Sequence, residues 1–188
     1  MDLTNVDLTN VNLTNVDLSY PIGRFDFKQV VEPARYPALI REIAATPGLF
    51  RAAVRGLSEE QLATPYRPGG WTVRQTVHHV ADSHMNSFIR FRMALTEDEP
   101  TICPYNQAAW GELADSQVAP VDWSLNLIEG LHSRWVVLLE AIGTAGFSRA
   151  FRHPELGLVR LDTNMALYAW HGRHHAAHIT GLRQRNGW

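Results

Sequence analysis

Four long segments of this 188-residue chain predict an all-α fold, a four-helix bundle with a long crossover connection. Each segment carries apolar residues at the three-and-four spacing of an amphipathic helix. Capping patterns precede several of them, and no series of alternating segments indicates a sheet. The length suffices for one domain with a real core, so the four helices are expected to pack on each other.

The first helix is expected over residues 37–57. Pro47 removes one backbone donor there and should kink or break the helix. Ser58 and Gln61 form a capping-box pattern that indicates a further short helical turn. The prolines and glycines that follow predict a loop.

The second helix is expected to begin at Thr72, which pairs with Gln75 in another capping-box pattern. It should end in an acidic stretch before Pro100. Residues 100–121 show little periodicity and are interpreted as the crossover, with a short helix around Trp110.

The third helix is expected from about Asp122, because its apolar residues keep the three-and-four spacing. Glycines and a proline in residues 143–161 favour a small hairpin there. The fourth helix should begin with Asp162 or Thr163 as its cap and run to Asn186, with a glycine beyond it as a stop signal.

Composition narrows the function classes. A formal net charge of −2 shows no excess of basic residues, so the composition does not indicate nucleic-acid binding. No apolar run approaches the roughly 18 residues that a membrane span needs, and the N-terminus lacks a secretion signal. Cys103 is the single cysteine, which suits a reducing compartment. We therefore expect a cytoplasmic protein with neither nucleic acid nor membrane as partner.

Residues 2–18 repeat with a period of five and resemble pentapeptide repeats. Barely one coil of such a solenoid would form, and stacked coils are what stabilise it. We interpret residues 1–18 as a flexible arm and residues 19–188 as the bundle domain. Ordering of the arm on the domain or on a partner chain is the alternative, and a homodimer stays open.

Histidine is the informative excess, because seven of the nine histidines lie in two short segments: His78, His79, His84, His171, His174, His175 and His178. Residues four apart share a helix face, so His171 with His175, or His174 with His178, could bind one metal ion. Only one of these pairs is expected to point into the bundle, and the first is favoured. On the second helix His79 is the favoured ligand, with His78 and His84 as alternatives.

Other polar residues share those faces. Asp82, Asn86 and Arg90 follow His79 along one stripe, and Tyr168 precedes His171. Asp82 could orient a ligand or act as a base, or it could be a surface charge. No glutamate stands between His171 and His175, which argues against the metalloprotease motif that needs one.

The sequence resembles the DinB/YfiT-like metalloenzymes, most closely the YfiT branch, whose members are described as metal-dependent hydrolases and bacillithiol transferases. The resemblance covers residues 19–188 and rests on these stretches: SYPIG (19–23), TPYRPGGWTVRQTVHHVADSHMNSFIRFR (64–92), LHSRW (131–135) and YAWHGRHHAAHIT (168–180). It implies a four-helix bundle in which His79, His171 and His175 bind one nickel or zinc ion. More distant relatives have glutamine where His178 stands, which makes His178 a candidate for lining the cavity.

Three neutral imidazoles leave a divalent ion with an open position. Such a position suits hydrolysis, because it lowers the pKa of water, or transfer of a low-molecular-weight thiol such as bacillithiol. Asn86, Arg90, Tyr168 and His178 would offer donors to the thiol's polar groups. Transfer onto a small-molecule substrate is favoured narrowly over hydrolysis, and a non-catalytic metal or small-molecule binding stress protein is the alternative.

Overall fold

The computed structural model describes residues 17–188, so the repeats that lie within residues 1–16 fall outside the described residues. The four long helices are α1 (Tyr36–Val54), α3 (Val73–Thr96), α6 (Val121–Ala141) and α8 (Leu161–Asn186). Shorter elements connect them: a 3-10 turn (Pro33–Arg35), α2 (Glu59–Leu62), α4 (Gln107–Gly111), α5 (Ala114–Val118), α7 (Gly143–Phe147), β1 (Ala150–His153) and β2 (Gly157–Arg160).

The long helices form the predicted four-helix bundle. Helix α1 packs against α6 and α8, and α3 packs against the same two helices. The consecutive long helices α1 and α3 therefore lie diagonally across the bundle, and the crossover that carries α4 and α5 leads from α3 to α6. Strands β1 and β2 pair as the predicted antiparallel hairpin. Within residues 17–188, no helix is long and apolar enough to cross a membrane.

Local capping signals fix several helix ends. Both predicted capping boxes are present, at Ser58 with Gln61 and at Thr72 with Gln75. The last helix ends at Gly187, whose left-handed φ of 68° is the backbone conformation that glycine adopts most easily. The predicted short helix around Trp110 is α4, whereas α5 was not predicted.

The predicted start of α8 is wrong. The helix begins at Leu161, with Arg160 as its cap residue, and neither Asp162 nor Thr163 caps it. Leu161 is fully buried where β2 leads directly into the helix. The Asp162 carboxylate instead accepts hydrogen bonds from Arg160 and from the Tyr36 hydroxyl.

Helix α1 runs through Pro47 without the predicted break. Thr46 and Phe50 on either side of the proline are buried at 1% and 0% exposure, so tertiary packing holds the helix together. Proline has no N–H to donate to the carbonyl of Ile43, four residues earlier. His132 on α6 donates to that carbonyl from Nδ1 at 2.7 Å, so the freed acceptor is satisfied from another helix.

Candidate metal centre

Three imidazoles converge where α3 packs against α8. His79 comes from α3, and His171 and His175 come from consecutive turns of α8. One ligand nitrogen from each lies within 4.8 Å of the others, and the Nε2 atoms of His79 and His171 are 3.4 Å apart. Metal–nitrogen bonds of about 2.0–2.1 Å in a tetrahedral site separate the nitrogens by about 3.3–3.4 Å. The spacing therefore fits one divalent ion.

Burial keeps these imidazoles neutral. It lowers the pKa of His79 to about 3, with smaller contributions from His174 and His178. Burial also lowers the pKa values of His171 and His175 well below the ordinary histidine value. A metal ligand must offer an unprotonated nitrogen, so the fold meets that condition at neutral pH.

The donor set indicates which ions suit the site. Imidazole nitrogen binds zinc, nickel, copper and iron(II), whereas magnesium and calcium prefer oxygen ligands. His79, His171 and His175 form an all-imidazole group. The nickel or zinc expected from the resemblance is compatible with these side chains, and the ligand set itself stays a prediction.

The three histidines line a cavity of about 380 Å³, together with aromatic and polar side chains from the loop before α3, from α8 and from residues 19 and 20. Trp71 packs on His79 with ring centroids 4.5 Å apart, and Tyr66 stacks on His178 at 4.0 Å. Arg67 adds a cationic group to the wall. The sequence did not reveal Trp71, Tyr66 or Arg67 as cavity residues, because their contact with α8 depends on how the loop folds back.

A second cavity, of about 710 Å³, reaches His171 from the side of the crossover. Arg90 and Tyr168 line it, and the Tyr168 hydroxyl lies 3.2 Å from the Ser83 hydroxyl. Gln107 and His171 line both cavities, so the two cavities adjoin beside the predicted metal site.

Two predicted site residues stand apart from these cavities. Within residues 17–188, neither Asp82 nor Asn86 lines either cavity. The Asn86 amide donates to the Asp82 carbonyl along the helix. Burial, with a smaller contribution from Asp115, raises the pKa of Asp82 to about 6. The structure therefore gives Asp82 no direct path to the metal cavity.

The second histidine pair of α8 lies beside the cavity as well. His174 and His178 line the same cavity as His171 and His175, and His174, His175 and His178 form a second group with metal-ligand spacing. Residues 19 and 20 and the loop before α3 extend the cavity along α8 to these two histidines. His174 stacks on Trp170, with ring centroids 4.3 Å apart.

Two further histidines lie behind the centre. His84 and His132 are buried at 0% and 1% exposure and are hydrogen-bonded to each other at 2.8 Å. His84 also contacts Nδ1 of His171 at 3.0 Å. His78 points elsewhere and bonds to Ser124 at 2.7 Å and to the Ala119 carbonyl. Only the packing of α3 against α6 brings His84 to His132, so sequence spacing could not reveal the contact.

Comparison with known proteins decides the family. The family model of the DinB superfamily matches residues 42–179, which include the three predicted ligands. This chain belongs to the DinB superfamily. Its relatives of known sequence include proteins from Bacillus cereus and Bacillus thuringiensis, both 52% identical over 171 residues, which is 91% of this chain and 98% of each relative.

A solved structure supports the same assignment. YfiT from Bacillus subtilis matches this DinB-superfamily chain with a TM-score of 0.89 and 46% sequence identity, over 92% of this chain and 99% of YfiT. YfiT is described as a probable metal-dependent hydrolase with an unusual four-helix bundle topology. The diagonal placement of α1 and α3 here belongs to that fold.

Proposed function

We propose that this protein is a divalent-metal-dependent enzyme that acts on a small molecule. The observation that carries the proposal is the convergence of three neutral imidazoles, from His79, His171 and His175, beside a cavity of about 380 Å³. The 52%-identical relatives carry the name "Putative metal-dependent hydrolase", which supports dependence on a metal. A binder without catalysis would need the ion but not the two adjoining cavities.

The side chains around the ion would determine which substrate the site accepts. A bound nickel or zinc ion would supply a Lewis acid that lowers the pKa of a nucleophile at its open position. Trp71 and Tyr66 exclude water from one side of the cavity through their contacts with His79 and His178. Arg67 offers a fixed positive charge to an anionic group on a substrate.

Two adjoining cavities favour transfer of a thiol onto a second substrate. A bacillithiol-type thiol carries carboxylates and hydroxyls, which Arg90 and Tyr168 in the larger cavity could bind. The electrophile would occupy the smaller cavity beside Arg67. Sulfur then bonds to the electrophilic carbon, the leaving group departs with its bonding pair, and the thiol proton passes to water or to the leaving group.

Hydrolysis is the second candidate, and the names of the relatives favour it. It needs one organic substrate and a water molecule, and a positioned base usually helps. No carboxylate among the described residues lines the smaller cavity, Glu155 lines only the larger one, and Asp82 lies outside both. The residues around the site therefore support thiol transfer more directly.

The test compares both reactions in metal-loaded protein. We expect turnover with bacillithiol and a chloroarene electrophile, and little turnover on a panel of esters and amides. Arg90→Ala should raise the KM for the thiol while the metal content stays unchanged. Arg92→Ala is the matched control, because Arg92 lies on the same helix but is exposed.

The opposite results have distinct meanings. Turnover on the esters or amides alone would make hydrolysis the function. Stoichiometric metal binding without turnover in either panel would replace the enzyme proposal by the non-catalytic binder. An equal rise in KM for both arginine variants would remove Arg90 from the thiol site.

A further inference from the structure

A row of three histidines runs from the bundle core to the predicted metal centre. We call His132, His84 and His171 the inner histidine chain. Nδ1 of His132 lies 2.7 Å from the carbonyl oxygen of Ile43, and its Nε2 lies 2.8 Å from Nδ1 of His84. Nε2 of His84 lies 3.0 Å from Nδ1 of His171. Each contact joins one ring nitrogen to the next residue, without a gap.

The carbonyl at the end of the inner histidine chain fixes every proton along it. A carbonyl oxygen can only accept, so Nδ1 of His132 carries the proton. Nε2 of a neutral His132 must then accept from Nδ1 of His84, and Nε2 of His84 must accept from Nδ1 of His171. His171 is left with an unprotonated Nε2, the atom that lies 3.4 Å from Nε2 of His79.

A shorter row reaches the neighbouring ligand from the other side. We call His178 and His175 the outer histidine chain. Nε2 of His178 lies 3.3 Å from the carbonyl oxygen of Ser19 and therefore donates to it. Nδ1 of His178 then accepts from Nδ1 of His175, at 3.3 Å. This leaves His175, like His171, with an unprotonated Nε2.

We propose that the two histidine chains position the metal ligands by fixing their tautomers, with the Ile43 and Ser19 carbonyls setting the direction of every hydrogen bond. His132, His84 and His178 are positioning residues, because each acts through His171 or His175. A ligand whose second ring nitrogen is hydrogen-bonded keeps its orientation and binds metal more tightly. The inference rests on the proposed metal site.

The same assignment separates the two groups of histidines that have metal-ligand spacing. Nδ1 of His178 is occupied by the proton of His175, and its Nε2 by the Ser19 carbonyl. His178 therefore offers no free lone pair to an ion at His174 and His175. The group of His79, His171 and His175 retains its free nitrogens.

Nitrogen-15 NMR of histidine-labelled, metal-free protein at pH 7.5 tests the tautomers directly. We expect protons on Nδ1 of His132, His84, His171 and His175, and on Nε2 of His178. A proton on Nε2 of His171 or His175 would overturn the proposal. This readout needs no metal, so it can fail or succeed independently of the proposed function.

A variant tests the positioning role. His132→Phe keeps a ring in the core but removes the acceptor for His84, so the tautomer signals of His84 and His171 should become mixed. Zinc affinity should fall by about 10- to 100-fold. His78→Phe is the matched control, because His78 is also a buried histidine but belongs to neither chain; it should leave both readouts unchanged.

The outcomes separate the two proposals. Unchanged zinc affinity in a folded His132→Phe protein would overturn the positioning role. If His132→Phe does not fold, His178→Phe gives the same comparison for the outer histidine chain, and a loss of affinity there is expected. If the wild-type protein binds no zinc or nickel, the proposed function fails and the positioning role with it, while the NMR spectra still decide the tautomers.

Discussion

The inner and outer histidine chains hydrogen-bond to neighbouring ligands, and the carbonyl groups at which they end differ in rigidity. The inner chain ends on Ile43, a carbonyl within a long helix, and its members His84 and His132 are almost fully enclosed. The outer chain ends on Ser19, in a turn-rich segment that precedes the first helix. Disturbing the bundle should therefore affect His171 first, whereas disturbing the N-terminal segment should affect His175 first.

Removing a ligand should have the largest effect. His171→Ala and His175→Ala should each lose nearly all bound zinc, because two imidazoles seldom retain an ion that three hold. His174→Ala should keep close to one ion per chain, as mass spectrometry of the purified proteins would show. Metal that survives His171→Ala but disappears in His174→Ala would move the site to the group of His174, His175 and His178.

Acid should have the next largest effect, and it should act through the buried His132 of the inner chain. Burial lowers the pKa of His132 to about 4 from the ordinary 6.5, so the folded protein holds this histidine neutral where the unfolded chain would protonate it. Its contribution to the free energy of unfolding is fully present above about pH 6.5 and is lost as the pH falls towards about 4, by on the order of a few kcal/mol.

Denaturant unfolding of metal-free protein at several pH values between 7.5 and 4.5 would measure this loss. The His132→Phe protein should lose less stability over the same range, because it has one buried histidine fewer. An identical pH dependence in both proteins would mean that His132 contributes nothing to acid sensitivity.

The packing of α8 against α1 should tolerate little change beside the inner chain. A Cβ atom at Gly172 would lie 2.8 Å from Oγ1 and 3.0 Å from Cγ2 of Thr46. Gly172→Ala should therefore cost about 1–3 kcal/mol of unfolding free energy and weaken zinc binding, since His171 is the adjacent residue. Thr46→Ala removes both contacting atoms, so the double variant should regain much of the loss; additive costs would contradict this contact.

Shortening the N-terminus should have the smallest effect, and it should act through the outer chain and through the cavity wall that residues 19 and 20 form. Deleting residues 2–16 keeps the Ser19 carbonyl, so zinc affinity and melting temperature should stay unchanged. Deleting residues 2–23 removes the acceptor of His178, which should weaken zinc binding several-fold. Isothermal titration of both truncated proteins measures the difference, and equal affinities would show that Ser19 is dispensable.

Local signals made much of the fold predictable. The capping boxes at Thr72 and Ser58 act within one turn, so the sequence alone locates those helix starts. Pro47 does not break α1, because the packing around Phe50 and the bond from His132 to Ile43 involve other helices, which the local sequence does not reveal. The start of α8 was also misplaced, because strand β2 leads directly into the helix and determines where it begins.

Part of the candidate site could likewise be predicted from the sequence, and part depends on tertiary packing. Helical spacing brings His171 and His175 together and favoured His79 on the second helix, and the family resemblance selected His79 from its alternatives. The cavity walls at Tyr66 and Arg67 and the contact of His84 with His132 depend on how distant elements pack. Spacing along one helix also could not show that His174 and His178 share the cavity.

The presence of Pro47 should restrict which substitutions this protein accepts during evolution. The proline frees the Ile43 carbonyl, and His132 uses it. A lineage that replaced the proline would restore a competing backbone donor to that carbonyl, and the histidine would lose its exclusive acceptor. A lineage that lost the histidine first would leave a buried carbonyl without a partner. Selection should therefore tend to retain or exchange the two positions together, although they lie on different helices.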